Sequence, residues 1–191
     1  MSTMIENGTK IGVDALKLAD IICSTGNAKI SKAIRAATGS IVSHSMLFSG
    51  GGKVIESVGG GVREVPLSEA LDGAQLAIAF RPASLPESSA HVVVDFARQQ
   101  ATDGKKYDIR GIIAQAGYQL DRIFFSEEQA ARANLWIQDE NRYFCSELIA
   151  AAFQHAGFPL TNTRPAAVSP QTLVELGSTD TLAYVGHLLG L

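Results

Sequence analysis

The sequence predicts an α+β fold in which an antiparallel sheet packs against helices. Short β-prone runs bounded by glycine turns fill most of residues 18–81, and apolar residues at helical spacing recur through residues 88–177. A chain of 191 residues with 46% apolar content can bury one sizeable core. Because the sequence contains no internal repeat, low-complexity segment or interdomain linker, residues 1–191 are predicted to form a single domain.

Glycine clusters and β-prone residues divide the first half into strands and turns. Strands are predicted at residues 18–23, 41–48, 54–58, 62–67 and 76–81. The glycines at 50–52 join the second and third strands, which should form a hairpin. A short helix over residues 28–37 is predicted between the first strand and this hairpin.

The second half is predicted to be mostly helical. Helices are expected at residues 88–102, 109–125, 127–136, 143–155 and 171–177. Ser88 and Ser89 are the expected cap of the first helix, and Gly157 stops the fourth. Residues 159–170 are predicted to be a loop.

Charge and composition exclude several classes of partner. The net charge is -3 and the basic residues are scattered, so we expect no nucleic acid partner. No window holds the roughly 20 apolar residues of a membrane span, and residues 1–20 lack the pattern of a Sec signal peptide. The chain is therefore expected to be made in the cytoplasm. Dispersed histidines and cysteines predict neither a metal site nor a bound cofactor.

Cys145 is the candidate nucleophile because it lies at the start of the helix predicted over residues 143–155. Unpaired N–H groups and the helix dipole favour a thiolate there, and the same N–H groups can help to form an oxyanion hole. A buried structural thiol is the alternative role. Cys23, in an apolar run, is expected to be a small core residue.

His44 is the candidate base for this thiol. It shares one face of a predicted strand with Met46 and Phe48, so a titratable group stands on an otherwise apolar side. If the hairpin pairs Phe48 with Gly52, Glu56 falls opposite His44 and orients the imidazole as the third catalytic residue. A one-residue slip would turn Glu56 away. The alternatives are a structural histidine and a solvated glutamate at a strand edge.

The sequence resembles the circularly permuted NlpC-type papain-like cysteine hydrolases, in the YiiX-like branch that is related to the lecithin:retinol acyltransferase family. The segments that carry the resemblance are residues 18–22, 43–48, 54–57, 104–108 and 143–148. The chain order of histidine, acid and cysteine marks the permutation, and Ala19 stands where relatives tend to have glycine. The resemblance implies a permuted papain-like fold, with Cys145, His44 and Glu56 as nucleophile, base and orienting acid.

The resemblance also implies an acyl-enzyme mechanism on an amide or ester, but it leaves the substrate open. A peptidoglycan stem peptide and a lipid acyl group are nearly equal candidates, and apolar residues at 109–113 and 188–191 could border an acyl site. The cell-wall substrate would require a specialised secretion system, as for an antibacterial effector with an immunity protein. Tyr143 is expected either to contact the oxyanion or substrate, or to pack beside the helix. A catalytically inactive binding module is the alternative class.

Overall fold

A seven-stranded sheet lies at the centre of the computed structural model, which describes residues 8–26, 40–59, 61–103, 106–107 and 142–188. Its strands are β1 (Lys10–Ile11), β2 (Ile21–Thr25), β3 (His44–Gly50), β4 (Lys53–Val58), β5 (Gly61–Pro66), β6 (Leu76–Pro82) and β9 (Leu182–Leu188). Their order across the sheet is β1-β9-β6-β2-β3-β4-β5. Only the β1–β9 pair in this sheet is parallel, which confirms the predicted antiparallel character.

Four α-helices and a small second sheet complete the described part of the fold. The helices are α1 (Leu67–Ala70), α2 (Glu87–Thr102), α3 (Cys145–His155) and α4 (Pro170–Leu176). Strands β7 (Lys106–Tyr107) and β8 (Arg142–Tyr143) form a parallel pair beside β5. Short 3-10 turns occur at Val13–Ala15 and Pro165–Ala167. The described residues contain no helix long and apolar enough to cross a membrane.

Apolar side chains alternate along the strands and form a separate core on each face of the sheet. On one face, Leu47 and Ile55 pack beneath α2 and α3 with Phe153. On the other face, Met46 and Val54 pack with residues of α1 and the N-terminal segment. The middle residues of β3 and β4 are therefore buried on both faces of the sheet.

The structure confirms most of the predicted elements in the described residues, adds two strands and corrects the N-terminal cap of one helix. Strands β3 to β6 and helices α2 to α4 fall where the sequence places them, within a few residues. Strands β1 and β9 were not predicted, because a two-residue strand carries no periodic pattern and β9 is interrupted by Gly186. Ser88 and Ser89 lie inside α2 and do not cap it, since Pro86 precedes its first residue. The helices predicted at 28–37, 109–125 and 127–136 lie outside the described residues.

Strand β2 begins at Ile21 and not at residue 18, because residues 17–20 form a tight turn. Ala19 adopts a φ of 65° in this turn, where its N–H donates to the carbonyl oxygen of Phe48. This left-handed conformation is the one that glycine adopts at the lowest cost. Ala19 therefore carries backbone strain at a position where glycine would cost less.

The same turn is closed by a buried ion pair between Asp20 and Arg81. Arg81 Nε donates to Asp20 Oδ1 at 2.9 Å, and Arg81 Nη2 donates to Asp20 Oδ2 at 2.7 Å. The backbone N–H of Lys17 donates to the same carboxylate, and Arg81 also donates to the carbonyl oxygen of Ala15. Asp20 is fully buried, so these donors replace the water that its charge has lost.

Candidate active site

Cys145 is the first residue of α3, as the sequence predicts, and is only 3% exposed to solvent. The helix starts abruptly because Phe144 has an extended backbone, and Glu147 Oε2 accepts a hydrogen bond from the Phe144 N–H at 3.4 Å. Helix α3 packs on β3 and β4, which brings its N-terminus over the sheet. The thiol therefore lies where the helix dipole favours an anion.

His44, the first residue of β3, joins Cys145 to Glu56. His44 Nε2 lies 2.7 Å from Glu56 Oε2, and the imidazole also forms a hydrogen bond with the thiol of Cys145. Because Nε2 is engaged by the carboxylate, Nδ1 is the ring nitrogen left for proton exchange with the thiol. The three residues singled out from the sequence thus lie together in one chain of hydrogen bonds.

The register of the β3–β4 hairpin differs from the predicted one by two residues. Phe48 pairs with Val54 and Met46 pairs with Glu56, so Glu56 is a diagonal neighbour of His44 and not its direct partner. The hairpin turns at Gly51 and Gly52, both with positive φ, so that Gly50 pairs with Lys53, and a bulge between Phe48 and Gly50 then shifts the ladder by one residue. A shift of two residues preserves the face of each side chain, and the predicted contact therefore forms.

The electrostatics of the site favour a thiolate–imidazolium pair. Burial opposes charge on His44, but its hydrogen bonds to Cys145 and Glu56 outweigh burial and raise its pKa to about 10. Burial also opposes the thiolate of Cys145, yet the bonds from His44 and Ser45 lower its pKa below the ordinary value. In the same way, burial of Glu56 is outweighed by His44 and Arg63, which lower the pKa of its carboxyl. The ion pair consequently persists from the lowered Cys145 pKa up to about pH 10.

The second cysteine is chemically distinct from Cys145. Cys23 is fully buried in β2 and pairs with Ser45 across the sheet. Burial, with the nearby charge of Cys145, raises the pKa of the Cys23 thiol far above its usual range. The prediction that Cys23 is a core residue is confirmed, and Cys145 is the activated thiol of the two.

Ser45 and Arg63 are two contributors to the site that the sequence analysis did not single out. The backbone N–H of Ser45 stabilises the thiolate of Cys145 and lowers the pKa of this thiol. Arg63 lies directly opposite Glu56 in the β4–β5 hairpin and forms an ion pair with it. A tight turn between the predicted third and fourth strands pairs these opposite charges, so the sequence contained a usable signal for Arg63.

Tyr143, the candidate contact to the oxyanion or substrate, is in β8 and not in the helix that follows. Its side chain lies outside the described part of the structure, so its role stays a prediction. Leu188, one of the residues proposed to border an acyl site, is buried in the core beside β1. Residues 109–113, 189 and 191 of the same proposal lie outside the described residues.

Replacing Glu56 by glutamine is expected to lower the pKa of His44 from about 10 and to slow alkylation of Cys145 at pH 6 by about tenfold. The carboxylate favours the protonated imidazole, so its removal weakens the thiolate that the imidazolium stabilises. Iodoacetamide labelling followed by mass spectrometry measures the rate. Glu64→Gln is a matched control, because Glu64 pairs instead with Arg98. Equal rates for Glu56→Gln and wild type would contradict the orienting role.

The fold and the site together define a mixed α+β protein with a thiol, an imidazole and a carboxylate joined by hydrogen bonds. No protein-family model matches the sequence. The chain is 30% identical to the probable lipoprotein peptidase YaeF of Escherichia coli (strain K12) over 196 residues, which cover 91% of this chain and 71% of that protein. The chain therefore belongs to the family of YaeF.

A solved structure shows a similar fold. The crystal structure of metalloprotein yiiX from Escherichia coli O157:H7 matches with a TM-score of 0.60 over 88% of this chain and 96% of that one, at 20% identity. The similarity confirms the mixed α+β architecture. The described residues of this chain contain no group of three or more His, Cys, Asp or Glu side chains placed to hold a metal ion.

Proposed function

We propose that the protein is a cysteine hydrolase with Cys145 as nucleophile, His44 as base and Glu56 as orienting acid. The observation that supports this proposal best is the hydrogen-bonded series from Cys145 through His44 to Glu56, with the pKa of the thiol lowered and that of the imidazole raised. Membership of a family with a probable peptidase gives independent support for hydrolysis. A structural thiol would not need an imidazolium partner.

The proposed reaction has two half-steps. The Cys145 thiolate attacks the carbonyl carbon of the scissile bond and forms a tetrahedral oxyanion, which collapses as the leaving group takes the proton from His44. The resulting thioester is then attacked by water, whose proton passes to His44. Collapse breaks the carbon–sulfur bond, releases the carboxylic acid and expels the Cys145 thiolate, which restores the ion pair with the His44 imidazolium. Glu56 holds the imidazole in place through both half-steps.

The start of α3 supplies donors for the oxyanion in this proposal. The first N–H groups of a helix have no acceptor within the helix, and that of Cys145 belongs to the nucleophile itself. Such donors stabilise the charge that develops on the substrate oxygen and are worth about 3 kcal/mol when they are well placed. The same helix terminus thus favours the thiolate before attack and the oxyanion after it.

A peptide amide is the substrate class that we propose. The relative YaeF is named a probable lipoprotein peptidase, which favours an amide over a lipid ester. The burial of Leu188 in the core removes one residue from the proposed lipid-binding border. A cell-wall stem peptide is the first peptide to test, while secretion as an effector and an immunity protein stay predictions from the sequence.

The deciding experiment compares wild type, Cys145→Ala and Cys23→Ala on two substrates. Each protein is incubated with purified peptidoglycan stem peptides and with phospholipid vesicles, and mass spectrometry identifies the products. New peptide fragments from wild type and Cys23→Ala, with none from Cys145→Ala, are expected. Release of fatty acid or lysolipid would replace the peptidase by a lipid hydrolase. Intact substrates in both series, together with an unreactive Cys145, would point to a binding module that keeps the fold.

A further inference from the structure

Arg63 is bound to the carboxylate of Glu56 on the side opposite His44. Its Nε and Nη2 atoms lie 2.9 Å and 2.6 Å from Glu56 Oε1, whereas His44 Nε2 lies 2.7 Å from Oε2. Each carboxylate oxygen therefore serves one cation. Because Arg63 holds Oε1 and His44 contacts Oε2, the guanidinium restricts rotation of the carboxylate and so sets the direction of the bond to His44.

The position of Arg63 in the fold makes this contact rigid. Strand β5 pairs with β4 so that Arg63 and Glu56 are direct cross-strand partners on the same face. At its far end, Arg63 Nη1 donates to Glu69 Oε1 of α1 at 3.0 Å. The guanidinium is thus held between a buried carboxylate, 2% exposed, and a surface carboxylate, 53% exposed.

The charges of the active state explain why a second cation is useful. A thiolate at Cys145, an imidazolium at His44 and a carboxylate at Glu56 sum to one negative charge in a site with little water. Burial favours protonation of such a carboxyl, and a protonated Glu56 would no longer stabilise the imidazolium. The guanidinium of Arg63 brings the sum to zero and favours the ionised carboxylate.

We propose that Arg63 is a positioning residue of this site. It fixes the carboxylate of Glu56, which orients His44, and keeps that carboxylate ionised. The proposal rests on the proposed cysteine chemistry and adds a fourth member to it. Arg63 acts through Glu56, whose carboxylate lies between the guanidinium and His44. An ordinary surface ion pair with the same geometry would affect stability slightly and leave the reactivity of Cys145 unchanged.

The other charged groups around Glu56 are few among the described side chains. His44 faces it from β3 and Arg63 from β5, while Glu69 of α1 and Cys145 of α3 act through these two residues. Strands β7 and β8 also pack beside β5, and their side chains lie outside the described residues. Arg63 is therefore the cation to vary.

The test measures the pH dependence of Cys145 alkylation by iodoacetamide, in a Cys23→Ala background that leaves one thiol. Arg63→Met is expected to move the acid limb of the rate profile upward by about one pH unit, which slows alkylation about tenfold at pH values below the limb. Arg63→Lys keeps the charge and loses the two-point contact. The acid limb of its alkylation profile should therefore fall between those of wild type and Arg63→Met. Glu64→Gln is the matched control, because Glu64 pairs with Arg98, and it should stay within about twofold of wild type.

The outcomes separate this proposal from the cysteine chemistry on which it rests. An activated Cys145 whose profile shifts in Arg63→Met supports both. An activated Cys145 whose profile is the same in wild type, Arg63→Met and Arg63→Lys overturns the role of Arg63 alone. A wild-type Cys145 no more reactive than a free thiol overturns both. If Arg63→Met does not fold, the profile of Arg63→Lys decides between these outcomes.

Discussion

In the His44→Ala variant, alkylation of Cys145 at pH 6 is expected to be roughly 300-fold slower than in wild type. An ordinary thiol with a pKa near 8.5 is ionised to only about 0.3% at this pH, whereas the imidazolium of His44 keeps Cys145 as a thiolate. Without His44, burial raises the pKa of this thiol, so labelling should become appreciable only in alkaline solution. Rates of iodoacetamide labelling between pH 5 and pH 10 measure the change.

The histidine substitution needs a control that removes an imidazole elsewhere. His91→Ala serves this purpose, because His91 is exposed on α2. Its labelling profile should match that of wild type. Turnover of any substrate found for the wild type should fall about 10³-fold or more in His44→Ala, since nucleophile activation and protonation of the leaving group both depend on this residue. A His44→Ala profile identical to that of wild type would rule out His44 as the partner of the thiol.

Replacing Arg81 by methionine is expected to lower the free energy of unfolding by about 3 kcal/mol. The substitution keeps much of the side-chain length but leaves the carboxylate of Asp20, which is fully buried, without its cation. The expected value is at the lower end for a broken buried pair, because Arg81 is 30% exposed and water can partly replace it. Urea unfolding monitored by circular dichroism measures the change.

Two further variants make the Arg81 result specific. Arg98→Met removes an arginine whose partners Glu64 and Asp95 are both partly exposed, so its cost should stay within about 1 kcal/mol. The double variant Asp20→Asn with Arg81→Met no longer buries an unpaired charge and should be more stable than Arg81→Met alone. Equal losses for Arg81→Met and Arg98→Met would show that burial of Asp20 does not set the cost.

Local pattern was sufficient to predict the parts of the site that depend on a single element. Cys145 was found at a helix start because apolar residues recur at helical spacing after it. His44 and Glu56 were placed on one face by alternation along two strands, although the position of the turn and the bulge beside Gly50 together shifted their pairing by two residues. Alternation fixes the face of a side chain, whereas turn geometry fixes its partner.

Contacts between distant segments could not be predicted in the same way. Arg81 reaches Asp20 across 61 positions of the chain, and no local pattern relates the two. Strand β1 is too short to show alternation, and it forms only because β9 offers a parallel edge. The backbone N–H of Ser45 reaches Cys145 only after α3 has packed on β3. Such features follow from tertiary packing, so the sequence alone leaves them undetermined.

The bulged turn between β3 and β4 also limits how this protein can change length during evolution. A single-residue insertion between Gly50 and Lys53 that slips the ladder by one turns Glu56 to the opposite face of the sheet, away from His44. An insertion that slips it by two keeps the face, as the difference between the predicted and observed registers illustrates. Homologous sequences should therefore tolerate paired insertions in this turn and exclude single ones, unless a second bulge absorbs the extra residue.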